Sequence, residues 1–426
     1  MRKTILHLLL SVIVIAGVPG CRSYVPVAAG DNFAYLYGKG AAAIRLEARV
    51  YQPDAAHAVI YFKLRTADLL YKGTGGGGPY HARVVMSYEA YPAPGSRDLL
   101  DSASTFVKDQ SMVANEDKEL IGNMQLKNVG DASFVLRITA RDLNRDAEST
   151  VMLRVDRGTP GGGQEFLPLG VNDLPLFDDH VRPGTTLKVQ SDSHAGAMLH
   201  VDHYPPVAKL PAPVFAEVAP PALDAPPESS FTISVQPDGT FNFTVGTNGF
   251  YHFRADTSSM AGYTVFVPTE AYPTVSTAQD MVAPLRYITS SKEWDALATS
   301  PDPRKEVERF WTDAAGSRDR AREAIAGYYG RVESANRHFT SYAEGWKTDR
   351  GLVHIIFGTP TTIRKNANSE TWVYGDETNL MSLVFNFMRR DEPFSDNDLV
   401  LQRDPRLKSA WYRNVESWRN GRILQN

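Results

Sequence analysis

The 426-residue sequence predicts a multidomain chain: two β-sandwich modules of immunoglobulin-like type, then a C-terminal α+β domain with helices packed on a small antiparallel sheet. Three observations point there. Short runs with apolar residues at every second position, separated by turn residues, fill most of residues 44–270. After Pro284 the charge density rises and apolar residues recur at helical spacing. The 27 prolines and 32 glycines supply many turns, and 42% hydrophobic residues are enough to fill real cores.

In chain order, residues 1–20 read as a secretory leader. Arg2 and Lys3 precede an apolar run from Leu8 to Ala16, and Val18-Pro19-Gly20 precede Cys21. That run is short for a bilayer span. Cys21, the single cysteine of the chain, sits where a lipoprotein leader is cut, so lipid attachment there and a tether over 21–43 are expected. The alternative is ordinary secretion with a cut nearby. Each buried CH₂ is worth about 0.8 kcal/mol, so one acyl chain holds reversibly and two or more hold essentially permanently. With one cysteine no internal disulfide can form, and the folded parts rely on burial alone. The formal charge is −4, or −6 without Arg2 and Lys3, which argues against a nucleic-acid partner.

The first module covers 44–157, with strands expected at 45–51, 58–64, 82–88, 104–109, 134–141 and 150–156. Phe134, Leu136 and Ile138 show the period of two. The run Gly73 to Pro79 lacks the Gly-Lys-Ser/Thr ending of a phosphate cradle and reads as a loop. The second module covers 165–270, with strands at 186–190, 198–203, 231–235, 241–245 and 249–254. Inside it, 205–227 is rich in proline and alanine and reads as an extended surface excursion. His194, His200, Asp202 and His203 form the one histidine cluster. Period two puts His200 and Asp202 on one strand face and His203 on the other, so these read as solvent-facing polar residues rather than metal ligands.

The third domain covers 284–426. Asp302-Pro303 reads as an N-cap followed by a first-turn proline, and Ser317 opens a longer helix. Ala321, Ile325, Tyr328, Val332, Ala335 and Phe339 advance by three and four, marking one stripe to be buried on the domain's own sheet. An interaction seam would show the same spacing. The stretch Gly345-Trp346-Lys347-Thr348-Asp349-Arg350-Gly351 follows, and then Leu352 to Phe357 and Gly358-Thr359-Pro360. Gly345 is expected to end the helix in the left-handed conformation, Trp346 to pin the junction, and Gly351 to take positive φ. Leu352–Phe357 is expected to be a strand, with Val353, Ile355 and Phe357 facing one way and Gly358 and Pro360 stopping it. Glu370–Tyr374 and Ser382–Met388 complete a meander. Thr348, Asp349 and Arg350 have two readings: a turn that locks helix to sheet, which is favoured, or a polar recognition corner.

Gly345-Trp346-x-Thr348-Asp349, with Arg350-Gly351 and Gly358-x-Pro360, resembles the defining motif of the GWxTD-domain proteins of bacterial envelopes. The likeness extends to Pro284 to Thr289, Phe310-Trp311, Ala335 to Phe339, Glu370 to Tyr374, Trp411 and Trp418 to Gly421. It implies a lipoprotein leader and β-rich N-terminal modules, and no assigned biochemistry. Similar proteins usually carry an acidic residue after the Gly-x-Pro turn, where this chain has Thr361-Thr362.

No Gly-x-Ser-x-Gly elbow and no His-Glu-x-x-His helix occurs, so no catalytic, metal or cofactor residue is named and none is expected. The expected protein is a non-catalytic binding or assembly module of the cell envelope. It is held through lipid at Cys21, on the periplasmic side of the outer membrane, with an envelope protein as partner. The β modules would act as spacers and the C-terminal domain would lie at the far end. An envelope hydrolase acting on peptide or polysaccharide, and a carbohydrate-binding surface protein with a planar row of Trp or Tyr, are the alternatives.

Overall fold

Among the described residues, eight strands build the first β region: β1 (Leu46–Tyr51), β2 (Ala58–Arg65), β3 (Lys72–Gly73), β4 (Tyr80–Tyr91), β5 (Asp101–Ser111), β6 (Glu119–Leu126), β7 (Phe134–Asp142) and β8 (Ala147–Val155). One antiparallel sheet runs β1-β2-β6; the other runs β3-β4-β7-β8, with β5 also on β4. Alternate residues of the two sheets fill a shared core, among them Ile60, Phe62 and Leu64 against Val84, Met86, Tyr88, Leu136 and Ile138. The structure, a computed structural model, describes residues 32–423 except 35–36, 38–43, 74, 76, 94–95, 114–115, 128–129, 131, 219–225, 367 and 391–392. The leader, Cys21 and most of the tether lie outside the described residues.

The second β region pairs the sheet β13-β10-β9 with the sheet β12-β11-β14-β15. Its strands are β9 (Leu167–Leu169), β10 (Thr186–Gln190), β11 (Met198–Tyr204), β12 (Ser229–Ser234), β13 (Thr240–Thr244), β14 (Gly249–Arg254) and β15 (Tyr263–Val267). Every residue of β14 is buried. Tyr251 and Phe253 face the core between the sheets, while Phe250 joins Tyr204, Phe266 and Tyr272 against Tyr342 and Phe394 of the C-terminal region. Between Val207 and Phe215 the proline-rich stretch is docked on the C-terminal region, where a free surface excursion is expected. Val214 is fully buried in the C-terminal core, Phe215 packs on Trp411 and Tyr412, and the carbonyls of Val207 and Ala212 accept from Lys347 and Arg403.

Among the described residues the C-terminal region has six α-helices: α1 (Ala278–Val282), α2 (Ser291–Ala298), α3 (Pro303–Ala315), α4 (Arg318–Phe339), α5 (Asp349–Phe357) and α6 (Lys408–Arg419). Its sheet runs β16-β17-β18-β19, with β16 (Thr362–Lys365), β17 (Ser369–Tyr374), β18 (Leu383–Arg389) and β19 (Leu399–Leu401). Asp302 and Ser317 cap α3 and α4 through the amides of Lys305 and Arg320. Five members of the α4 stripe are buried, with Ile325 at the edge of the core.

Leu352–Phe357 is helix α5, not a strand. Thr348 caps it by accepting from the Gly351 amide at 3.1 Å, and all nine helical residues are buried. The helix threads between α4, α6 and the sheet, so no polar face marks its period. Neither Gly345 nor Gly351 has positive φ. Both are glycine because of close approach: a Cβ at Gly345 would lie 2.0 Å from the Ala335 carbonyl, and one at Gly351 would lie 2.0 Å from the Gly345 carbonyl. The positive φ belongs to Gly358, at 85°.

Asn32, Phe33 and Tyr37, within the stretch expected to be a tether, dock on this same region. The Phe33 amide donates to the Ile363 carbonyl at 2.9 Å, and the Asn32 side chain bonds both Thr361 and Ile363. Phe33 and Tyr37 are buried in the C-terminal core. The start of the described chain is therefore tied to the C-terminal domain, which the spacer expectation had placed at the far end. Nor is the core of 284–426 self-contained, because Phe33, Tyr37 and Val214 complete it.

Gly351→Ala should destabilise by about 3 kcal/mol or more, because backbone rather than a pliant side chain blocks the methyl. A urea melt superimposable on wild type would show that the α5 entry is looser than described.

Candidate functional site

The motif residues converge where α4 ends, α5 begins and the sheet starts. Trp346 is buried; its carbonyl accepts from the Tyr287 hydroxyl at 2.9 Å and its ring meets that of Tyr287 edge-on at 5.8 Å. Asn336 on α4 receives the Trp346 amide at 3.1 Å. Thr348 donates to the Gly345 carbonyl at 2.8 Å, and the Gly358 carbonyl accepts from the Tyr374 hydroxyl at 2.7 Å. Gly345, Trp346, Thr348, Asp349, Arg350, Gly351, Gly358 and Pro360 are all buried, and Lys347 alone in the stretch is partly open.

The two charges of the motif point inward, to different partners. Asp349 accepts from the Leu401 amide at 2.8 Å and from Arg403 at 2.6 Å. Burial still raises its carboxyl above the usual range, with Arg403 only partly opposing. Arg350, 1% exposed, meets Glu370 at 2.9 Å and the Asn397 carbonyl at 2.7 Å, and lies over the Phe339 ring. Glu370 is also held by Lys365 at 3.0 Å and by the Trp372 indole at 3.0 Å. Burial opposes its charge, but Lys365 and Arg350 outweigh that and bring its carboxyl down to about 2.

The sequence points to Asp349 and Arg350 without their partners Arg403, Glu370 and Asn397, or the Lys365 and Tyr37 that hold Glu370 in turn. One signal was available: Glu370 shares the inward face of β17 with Trp372 and Tyr374, and a charge at such a position needs a buried counter-ion.

Beside Asp349 is a cleft of about 60 Å³, lined among others by Lys347, Thr348, Arg390 and Asp398. Burial also raises the Asp398 carboxyl, against Arg390 and Arg350. The cleft has room for water, well short of the roughly 300–1,000 Å³ of small-molecule sites. A larger hollow of about 380 Å³, lined by Gln52, Asp54, Asp156, Arg157, Glu165 and Ser193 among others, lies between the two β regions.

The histidine cluster is solvent-facing only in part: Asp202 and His203 are buried, while His194 and His200 stay partly open. Asp202 is buried and held by Arg254 at 2.5 Å, by Ser230 at 2.5 Å and by His200 at 3.0 Å; His203 stacks on Tyr251. On the same strand face, Phe394 and Tyr342 of the C-terminal region cover Tyr204, Phe250 and His252. Among the described residues no group of three or more His, Cys, Asp or Glu could hold a metal ion.

His252 and His354 are buried. Desolvation depresses them to about 4 and about 3, and neighbouring Arg254 and Arg331 act in the same sense. Both are neutral in the fold and ordinary, near 6.5, when unfolded. Acid therefore protonates the unfolded chain first, and stability falls as pH drops from 6.5 towards 4. Glu370 is depressed, so its contribution is present above pH 4.5 and lost as pH falls towards 2. Melting temperature should fall in two stages, and His252→Gln should blunt the first; an unchanged slope between pH 6.5 and 4 would contradict this.

No curated protein matches the sequence. Among solved structures, a calcium-binding mutant of Bacteroides uniformis beta-glucuronidase 2 matches at TM-score 0.17 and 11% identity, over 25% of this chain and 13% of that one. Bacteroides uniformis beta-glucuronidase matches at 0.19 and 11%, over 28% and 15%. Red sea bream transglutaminase matches at 0.19 and 11%, over 55% and 32%. Scores this low carry no argument about fold or activity, and the chain spans a third or less of each. The family comparison is specific: residues 249–420 match the GWxTD domain. That match begins inside the second β region, at β14, the strand whose Phe250 packs on Tyr342 and Phe394. The chain thus carries a GWxTD domain, with its signature residues buried at the junction of α4, α5 and the sheet.

Proposed function

We propose that this chain is a lipid-anchored cell-envelope protein that works as a non-catalytic binding or assembly module, with an envelope protein as its partner. One observation carries the reading: both charges of the motif, Asp349 and Arg350, are turned inward onto Arg403 and Glu370. Groups held this way build a rigid platform and leave recognition to the surface around it. Lipid at Cys21 and the periplasmic side of the outer membrane belong to the same proposal, resting on the leader.

The hydrolase reading has its own observation, the two carboxyls of Asp349 and Asp398 raised by burial beside one cleft. The small volume of that cleft weighs against a peptide or sugar reaching them. A carbohydrate platform finds less support, since Tyr412 is the one exposed Trp or Tyr among the described residues.

Asp349→Asn separates these readings. It keeps the shape and one acceptor oxygen, so capture of envelope partners should weaken only as far as the melting temperature falls. Wild-type melting with capture abolished, or with loss of a hydrolytic activity present in the wild type, would make Asp349 part of a working site. For the anchor, Cys21→Ser should move the protein from the membrane pellet to the soluble fraction or leave it uncleaved. Normal processing and wild-type recovery in the pellet would refute lipid attachment.

A further inference from the structure

The loop between β17 and β18, residues 375–382, ends in an apolar tip. Leu380 is 100% exposed and Met381 85%, with Val384 at the start of β18 exposed by 44%. Val384 carries the apolar surface from the tip to the start of β18, while its cross-strand neighbour Val373 is buried. Exposed leucine and methionine side by side at a loop tip, backed by Val384, suit an apolar medium and offer no concave surface to a folded partner.

The same corner holds the start of the described chain. The Asn32 side chain donates to the Thr361 carbonyl at 3.0 Å, and the Thr361 hydroxyl accepts from the amide of Gly375, the first residue of the loop, at 3.1 Å. Ten residues, 22–31, separate Cys21 from Asn32. Fully extended, that stretch spans at most about 40 Å. A lipid on Cys21 would keep this corner of the sheet within about 40 Å of its bilayer.

Charge narrows the lipid. Glu377 is paired with Arg364 at 3.0 Å, Asp376 accepts from the amide and hydroxyl of Thr378, and the loop from Gly375 to Ser382 has no Lys or Arg. Nothing in it favours anionic headgroups. We propose that this corner rests on the bilayer that carries the Cys21 lipid, with Leu380 and Met381 entering its zwitterionic interface. The inference builds on the proposed anchor. Two side chains do not hold a free protein to a membrane, but a chain already confined there needs little more to fix its orientation.

The test uses the full acylated chain with single cysteines introduced at Leu380→Cys, Met381→Cys or, at the β16–β17 turn on the opposite end of the sheet, Asn368→Cys. Acylation of Cys21 leaves the new thiol as the one labelling site for an environment-sensitive fluorophore. In phosphatidylethanolamine–phosphatidylcholine vesicles, labels at 380 and 381 should brighten several-fold, shift to the blue and be quenched by spin-labelled lipid. The label at 368 should stay as in water, and adding anionic lipid should change neither. Protein that floats with vesicles while 380 and 381 remain water-like overturns the proposal and spares the anchor. So does efficient cross-linking of Leu380→Cys into dimers, which would assign the tip to a second copy. Wild-type protein that does not float refutes the anchor itself, and the corner with it.

Discussion

The burial of Arg350 constrains the C-terminal domain more than any other feature. A guanidinium cannot shed its proton to escape a dry site, so it must be met by charge and hydrogen bonds where it lies. Glu370 supplies the charge, the Asn397 carbonyl a second acceptor and Phe339 a ring face. Glu370, itself buried, is satisfied in turn by Lys365 and the Trp372 indole. The network thus fixes α5 against β16, β17 and the segment before β19 at once. Such a buried set adds little net stability over apolar packing, but removing one member leaves a charge uncompensated, at about 3–5 kcal/mol. It specifies a single arrangement of helix on sheet.

The two motif charges divide that task. Arg350 ties the first turn of α5 to the sheet, and Asp349, one residue earlier, ties it through Arg403 to the Ala212 carbonyl and through its own carboxylate to β19. Neighbours on a helix point about 100° apart, so adjacent opposite charges reach opposite sides. The close backbone packing of Gly345 and Gly351 brings the turn near enough to α4 for Asn336 to receive the Trp346 amide. The signature is therefore a compact solution to one steric and electrostatic problem: seating a fully buried helix between a long helix and a small sheet.

What the sequence revealed follows from how patterns arise. Strands such as β4 and β13 and the α4 stripe are readable because each has one wet face and one dry face. Helix α5 was not, because an element buried on every side has no polar period, and Leu352–Phe357 bounded by glycines looks the same as a buried strand. The capping residue Thr348 was the available discriminator. Histidines and Asp202 on β11 were misplaced for a related reason: whether a strand face is wet depends on a distant segment that covers it. The glycines were assigned to backbone freedom when the cause was proximity, and proximity depends on tertiary packing that a sequence does not display.

Long-range closure explains why the boundary of the domain is blurred. Phe33 and Tyr37 from the chain start, and Val214 from the middle of the second β region, share a core with α4, α5 and the sheet. Asn32 and Ile363 are 331 residues apart, yet they hydrogen-bond directly. Loop-closure entropy grows only as the logarithm of length, so bringing such distant segments together is affordable once the intervening β regions have folded and shortened the effective loop. Asn32 and Phe33 hydrogen-bond to Ile363 along the outer edge of β16, the end strand of its sheet. An edge strand capped by the chain's own beginning is protected from pairing with other chains.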